Sequence, residues 1–388
     1  MNIMKKEVNL MSKLAILSIS LLILGPQAIS PAMAGIIQAF PEVPVSACRM
    51  VISLPLLPLV LTTLTTGKLE TFLDKKGIAL TGIAIYTAAG TASVFSLNFT
   101  MLVICRLIMG VGLGLFAAYA VSFISILFDG DERRKMIGLQ STATNLGSLV
   151  LTSAAGILTA VSWNTTFYIY LSGVIVFALV ALFVPSFPPV KSAQIHGSGG
   201  MTRALWKVSV GNFLYFIPFF VVFSDFSVLI MASNLGSPAD GGTGLSLLSV
   251  SALIVSAGYK PVSDRLKKFT APVGIGLTAA GFLIAGSASS LTVANIGALV
   301  IGAGFGVIMP HCYASAAASV DGTGQPLAAA AQTFATNIAS FCSVYALNLV
   351  ISVVGGDVPE STVFVGIGIL MIVYTIATTA MAVIRKEG

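Results

Sequence analysis

Arg106, Asp225 and His311 lie within long apolar stretches, where an ionisable side chain has to face water, a partner or a ligand rather than hydrocarbon. Asp225 is the acid of the set. Helical spacing places it on one face with Gly211, Tyr215, Pro218 and Val222, opposite Phe216, Phe220 and Phe223. A carboxylate so placed is expected either to look into a central cavity as a proton carrier or to act as a static partner for Arg106. Arg106 shares a stripe with Gly110, Leu113, Ala117 and Ala120, small and apolar as suits a cavity wall. Placing an arginine at such a depth costs about 2.5 to 3.5 kcal/mol, so the alternatives are a functional contact or snorkelling to the near membrane surface. His311 is a candidate because a free histidine titrates near neutrality. It is expected to pack quietly, with a cavity role open if Pro310 bends its helix. Gln27, beside Pro26, completes a candidate substrate and coupling set of Arg106, Asp225, Gln27, Tyr215, Gly110 and His311. Four amides in apolar spans, Gln140, Asn145, Gln332 and Asn337, must find partners; they either fasten half-bundles together or line the cavity.

Other chemistries lack their residues. The two histidines, His196 and His311, form no HExxH, and there is no GxSxG, so neither a metal centre nor a hydrolase nucleophile is expected and no cofactor is implied. Cys48, Cys105, Cys312 and Cys342 stand singly without CxxC spacing and read as small packing residues.

The elements that position these side chains are membrane spans. The chain is 56% hydrophobic and 9% charged, against about a quarter charged in a soluble domain. Its mean hydropathy is +0.98. Twelve apolar stretches, each long enough to cross about 30 Å of hydrocarbon as a helix, fall at 14–39, 46–66, 78–97, 100–127, 137–161, 166–185, 207–233, 244–262, 271–288, 293–317, 327–354 and 361–384. Lys5, Lys6 and Lys13, then Lys68, Lys75 and Lys76, then Arg133, Arg134 and Lys135, then Lys191, Arg203 and Lys207, then Lys260, Arg265, Lys267 and Lys268, and finally Arg385 and Lys386 all fall on one side of these spans. By the positive-inside rule that side is the cytoplasm and holds both termini, leaving only Arg49 and Arg106 to explain. The net charge of +6 is therefore topological, and basic residues spread over short loops imply no nucleic acid. Lys5, Lys6 and Lys13 before an apolar run and Ala32-Met33-Ala34 mimic a secretory signal, but cleavage there would remove most of the first span.

The chain also carries a copy of itself. Gln140, Ala143, Thr144, Asn145 and Ser148 match Gln332, Ala335, Thr336, Asn337 and Ser340, each pair 192 residues apart. At the same offset Gly110, Gly112 and Gly114 meet Gly302, Gly304 and Gly306, Asp129-Gly130 meets Asp321-Gly322, and Pro26 meets Pro218. A duplicated apolar bundle places a binding site between two halves that rock around it. The expected domains are a six-helix bundle over 1–185, a cytoplasmic linker over 186–206 with Pro188, Pro189 and the glycines between Gly197 and Gly200, and a second bundle over 207–388.

With twelve spans, duplicated halves and a central linker, the whole chain resembles the major facilitator superfamily, nearer its drug and metabolite:proton branch than any substrate-defined member. Asp74-Lys75-Lys76-Gly77 and Asp264-Arg265-Leu266-Lys267-Lys268 are similar to the family's loops after the second and eighth spans, although Glu70 and Lys260 replace the leading glycine. The resemblance implies that Asp74, Lys75, Asp264 and Arg265 hold a cytoplasmic gate; the bland alternative is a set of positive-inside anchors. Arg106 ahead of Gly110, Gly112 and Gly114 is similar to the family's fourth-span motif, which implies proton coupling or anion binding. The antiporter motif of the fifth span is incomplete: Gly138, Gly147 and Gly156 are present, but Leu151, Thr152 and Ala155 stand where it has Gly, Pro and Gly.

These readings imply an all-α membrane protein of twelve transmembrane helices in two pseudo-symmetric six-helix bundles. The expected activity is secondary transport, proton-coupled and by alternating access, of a small anionic or neutral amphipathic solute. The expected setting is a monomer in a bacterial cytoplasmic (inner) membrane. A multidrug/proton antiporter is the alternative, and a channel or an intramembrane enzyme a remote one.

Overall fold

The computed structural model describes residues 9–128, 130–187, 202–320, 325–354 and 358–384. Asp129, Asp321, Gly322, Asp357, Lys5, Lys6, Lys191, His196, Arg385, Lys386 and the part of the expected linker from Pro188 to Met201 lie outside the described residues. The described residues form helices α1 (Leu10–Ser20), α2 (Gly25–Ala28), α3 (Met33–Ala39), α4 (Val45–Ser53), α5 (Leu56–Leu69), α6 (Lys75–Ala92), α7 (Phe99–Phe116), α8 (Tyr119–Leu127), α9 (Gly130–Thr159), α10 (Ser172–Phe183), α11 (Arg203–Ala232), α12 (Pro238–Ala257), α13 (Tyr259–Leu266), α14 (Thr270–Gly286), α15 (Leu291–Ala318), α16 (Gln325–Val354) and α17 (Glu360–Ile384). Grouped across short breaks, they follow the twelve expected spans. Among the described residues nine helical spans are long and apolar enough to cross a membrane, ten if the pair Leu10–Ser20 and Gly25–Ala39, bent by 60°, is one span. α9 and α16 are helices of 30 residues each.

The breaks have local causes. Pro26 lies in the first turn of α2 and Pro31 in the 3₁₀ turn after it, so the first span cannot run straight through. Pro55 separates α4 from α5. The starts are capped: the Asn98 side chain accepts from the Met101 amide at 2.8 Å, and Ser290, 192 residues on, accepts from the Val293 amide at 3.4 Å. The duplication thus extends to the caps of α7 and α15.

It extends to packing as well. A Cβ on Gly110 would come within 2.8 Å of the Pro55 carbonyl carbon, and one on Gly302 within 2.8 Å of the Leu248 carbonyl carbon. Gly112 and Gly304 stand against the carbonyl oxygens of Gly82 and Gly274, each at 2.7 Å from the absent Cβ. Gly114 and Gly306 stand against those of Leu59 and Ala252. Small residues let helix backbones touch where lipid offers no hydrophobic drive. α7 is therefore drawn onto α5 and α6, and α15 onto α12 and α14.

The chain divides into two compact units. One contains Met1–Ile29, Ala39–Val43 and Met50–Ile195; the other contains Ser30–Gln38, Pro44–Arg49 and His196–Gly388. The core of the first includes fully buried Arg106, Tyr86, Phe116, Tyr119, Phe123, Phe167 and Tyr170. That of the second is built on Phe216, Phe219, Phe226, Phe282 and Phe364, with Phe219 stacked on Phe305 at 4.6 Å.

Candidate functional site

In the N-terminal unit the polar centre is Arg106 on α7, which is fully buried. It does not snorkel. Its Nε donates to the Val51 carbonyl at 2.9 Å, Nη2 to the Pro26 carbonyl at 3.0 Å, and Nη1 to the Tyr170 hydroxyl at 2.6 Å and the Met109 sulfur at 3.4 Å. The prolines explain why acceptors are free. Val51 lies four residues before Pro55, which has no N–H to offer it, and Arg106 takes the place of that missing donor. Further hydroxyls reach the carbonyls at the break in the first span: Tyr170 donates to Gly25 at 3.1 Å, and Tyr86 to Leu22 at 3.2 Å, which also accepts from the Gly25 amide at 3.0 Å. The stripe expected to wall a cavity is packed instead. Gly110 lies on the Pro55 backbone and Leu113 and Ala120 are buried, because the glycines bring α7 into contact with α5. Gln27 is buried in α2 nearby in sequence.

In the C-terminal unit the polar centre is an ion triad. Arg49 Nε pairs with Asp225 Oδ1, Arg49 Nη2 pairs with Glu360 Oε1, and the Ser224 hydroxyl donates to Asp225 Oδ2. The three side chains are 5%, 0% and 13% exposed, respectively. Two expectations are corrected here. Asp225 has Arg49, not Arg106, as its partner, since Arg106 is saturated by neutral acceptors in the other unit. The expected end of the twelfth span is also corrected: α17 begins at Glu360, one residue before it, and carries a second carboxylate into the site beside Asp225. The clue in the sequence was Arg49, a base left over on the side of the chain that carries almost no other lysine or arginine.

The remaining expected residues are dispersed. The Tyr215 hydroxyl meets Thr278 at 2.9 Å within the aromatic core. His311 is held between the Tyr259 hydroxyl at Nδ1 (3.3 Å) and Ser315 at Nε2 (3.2 Å). The idea that the amides fasten the half-bundles fails for Gln332. Its Oε1 accepts from Asn212 and its Nε2 donates to Ser209 at 3.1 Å, both on α11 of the same unit, because α16 packs along α11. Cys312 donates to the same Asn212 at 2.7 Å. Gln140 donates to Thr144 one turn along its own helix at 3.2 Å, and Asn145 and Asn337 are half-buried.

The two loop aspartates differ. Asp74 accepts from the backbone N–H of Phe187 at 2.6 Å, Lys75 pairs with Glu70, and Lys76 reaches the Ala181 carbonyl at 2.8 Å. The loop after α5 thereby holds the chain where it leaves α10. Asp264 and Arg265 are exposed on α13. Among the described residues no group of three or more His, Cys, Asp and Glu side chains is arranged to hold a metal ion.

Residues 14–210, about half of the chain, match the model of the Major Facilitator Superfamily, and the chain belongs to that superfamily. Its long apolar helices are those of a multi-pass membrane protein. An MFS-type transporter of Mycobacterium tuberculosis, Rv1250, is 30% identical over 127 residues, 32% of this chain and 22% of that protein. The multidrug transporter protein MdtP of Bacillus subtilis is 31% identical over 117 residues, 30% of this chain and 22% of that protein. The multidrug efflux pump SdrM of Staphylococcus aureus is 24% identical over 139 residues, 36% of this chain and 31% of that protein. The matches thus span less than a third of the length of these relatives. Among solved structures, a D-xylose-proton symporter superposes with a TM-score of 0.69 at 17% identity, covering 94% of this chain and 96% of that one. A POT family transporter in complex with 5-aminolevulinic acid superposes with a TM-score of 0.73 at 10% identity, covering 96% of each chain. These likenesses establish the twelve-helix fold.

Proposed function

We propose that the protein is a proton-coupled secondary transporter of a small organic solute, anionic or neutral and amphipathic, working by alternating access. Two six-helix bundles, 1–185 and 207–388, joined by the linker 186–206, move about a central site. It acts as a monomer in a bacterial cytoplasmic membrane with both termini inside. The observation that carries this reading is the buried triad. Two carboxylates share one guanidinium, so the ionised set holds one negative charge more than Arg49 offsets. Uncompensated charge is expensive in a span, and one bound proton balances it. Arg106 supports the solute class: its positive charge meets only neutral acceptors and biases the N-terminal unit toward anions. The loops at Asp74, Lys75, Asp264 and Arg265 serve as the cytoplasmic gate.

Export of hydrophobic drugs in exchange for protons is the second reading, favoured by the likeness to MdtP and SdrM. Against it stand the first span, which has no carboxylate, and the fifth, which lacks the Gly-Pro pair. Thermal stabilisation across a panel of metabolites and drugs identifies the solute. Flux in proteoliposomes then tests the coupling. Asp225→Asn, which mimics a protonated acid, is expected to abolish accumulation driven by a pH gradient while solute exchange at equal pH continues. Accumulation at the wild-type level would remove the triad from the coupling step.

A further inference from the structure

We infer that Glu360 is the proton-loading residue of the triad, taking a proton from water and handing it to Asp225 while Arg49 shifts between the two carboxylates. This rests on the reading of the triad as the proton site. The two acids are unequally placed. Asp225 is fully enclosed on α11, with Oδ1 occupied by Arg49 and Oδ2 by Ser224. Glu360 is the first residue of α17, at the edge of its span, and its side chain keeps 13% exposure. Its oxygens also divide. Oε1 is held by Arg49, whereas Oε2 is buried and has no hydrogen-bond partner among the described residues. A buried carboxylate oxygen without a donor is an acceptor left open, and it belongs to the carboxylate of the triad whose side chain keeps some exposure.

The electrostatic surroundings are simple. Arg49 and Asp225 are the charged groups that interact with Glu360. α14, which packs along α17, has no titratable residue between Thr270 and Gly286. Gly286 at its end lies against Ser361 and Val365, so the turn Lys267–Phe269 preceding α14, which packs on α17, meets its far end. Among the described residues no other charged group interacts with Glu360.

The transfer balances. A hydronium ion gives its proton to Glu360 Oε2, one O–H bond breaking and another forming, and a water molecule leaves. The carboxylic acid no longer holds the guanidinium as an ion, and Arg49 stays with Asp225. The proton then passes from Glu360 to an Asp225 oxygen as Arg49 moves back to the re-ionised Glu360. The triad has gone from one net negative charge to none, with the proton enclosed where exposure is zero.

Time-resolved infrared spectroscopy of the full-length protein after a downward pH jump follows the carboxylic C=O band, with bulk protons as the only ligand needed. Wild type is expected to show a band that Asp225→Asn removes. Glu360→Gln leaves Arg49 and Asp225 as a neutral pair, so its band should need a jump to lower pH and there rise on the order of a hundredfold more slowly than in wild type, the scale of a lost positioned proton donor, with millimolar formate, a diffusible carboxylate, restoring the rate. Glu360→Asp, with a shorter arm, should slow the rise a few-fold and serves if the glutamine variant does not fold. A wild-type rate in either Glu360 variant overturns the inference. Retention of the band in Asp225→Asn overturns instead the assignment of the proton site itself.

Discussion

Each unit buries one arginine, and the two are stabilised by different means. Arg106 is held by backbone carbonyls that proline breaks leave without donors, together with a tyrosine hydroxyl; Arg49 is held by two carboxylates. A carbonyl cannot take up a proton near neutral pH. The N-terminal arrangement is therefore a fixed polar fastening that keeps its charge, and the C-terminal one can change its charge by a single proton. The repeat does not predict this difference. Subtracting or adding 192 sets Arg106 against Ala298 and Asp225 against Met33, so the charged residues depart from the symmetry that the glycines keep.

The largest effect should come from removing each arginine in turn. Arg49→Ala leaves two buried carboxylates without their cation and is expected to destabilise the protein by about 3 to 5 kcal/mol. Arg106→Ala leaves only neutral acceptors unpaired and should cost about 1 to 3 kcal/mol. Thermal or denaturant unfolding in detergent measures both, and equal losses would break the distinction. Arg106→Lys should recover only part of its loss, since one ammonium cannot reach carbonyls and a hydroxyl in three directions as the planar fork does.

The glycines sharpen the comparison from the other side. Gly110→Ala and Gly302→Ala each force a methyl group against backbone of the neighbouring helix, and each should lose about 1 to 3 kcal/mol. The losses should match, because here the units are alike. Gly366→Ala, whose added methyl meets nothing within 4 Å, should be neutral or mildly stabilising. Unequal losses at Gly110 and Gly302 would show that the repeat in sequence does not carry over to packing strength.

The smallest effects are expected at the loops. Asp74→Asn weakens a charge-assisted hydrogen bond to the Phe187 amide and should loosen the chain after α10, read as faster proteolysis of the connecting segment. Asp264→Asn, at an exposed position on α13, should leave stability unchanged. If it acts, it should shift the balance between inward and outward accessibility, measured with cysteine reporters on both faces; no shift there or in transport would reduce that loop to an anchor.

Much of the architecture was legible from one dimension. The positions of the spans and the duplication follow from runs and spacings, whereas the bend near Pro26 and the close packing of Gly110, expected to wall a cavity, came only with the structure. The candidate site was only half legible. Asp225 and Arg106 were visible as ionisable residues in apolar surroundings, yet their partners were not. Glu360 stood one residue outside the expected twelfth span and looked like part of a loop. Gln332, matched to Gln140 by the repeat, turned out to fasten α16 to α11 through Ser209 and Asn212.

What the sequence determined by itself is the partition between lipid and water: which segments are long and apolar enough to leave water, and where the chain repeats. Those are local transfer and steric energies, summed over neighbouring residues. Only the tertiary structure decided that Arg49, Asp225 and Glu360, far apart in the chain, form one triad while Arg106 finds carbonyls. Ion pairs form over a few ångströms, and a small change in the tilt or rotation of a helix, with side chains spaced about 100° apart around it, is enough to exchange one partner for another.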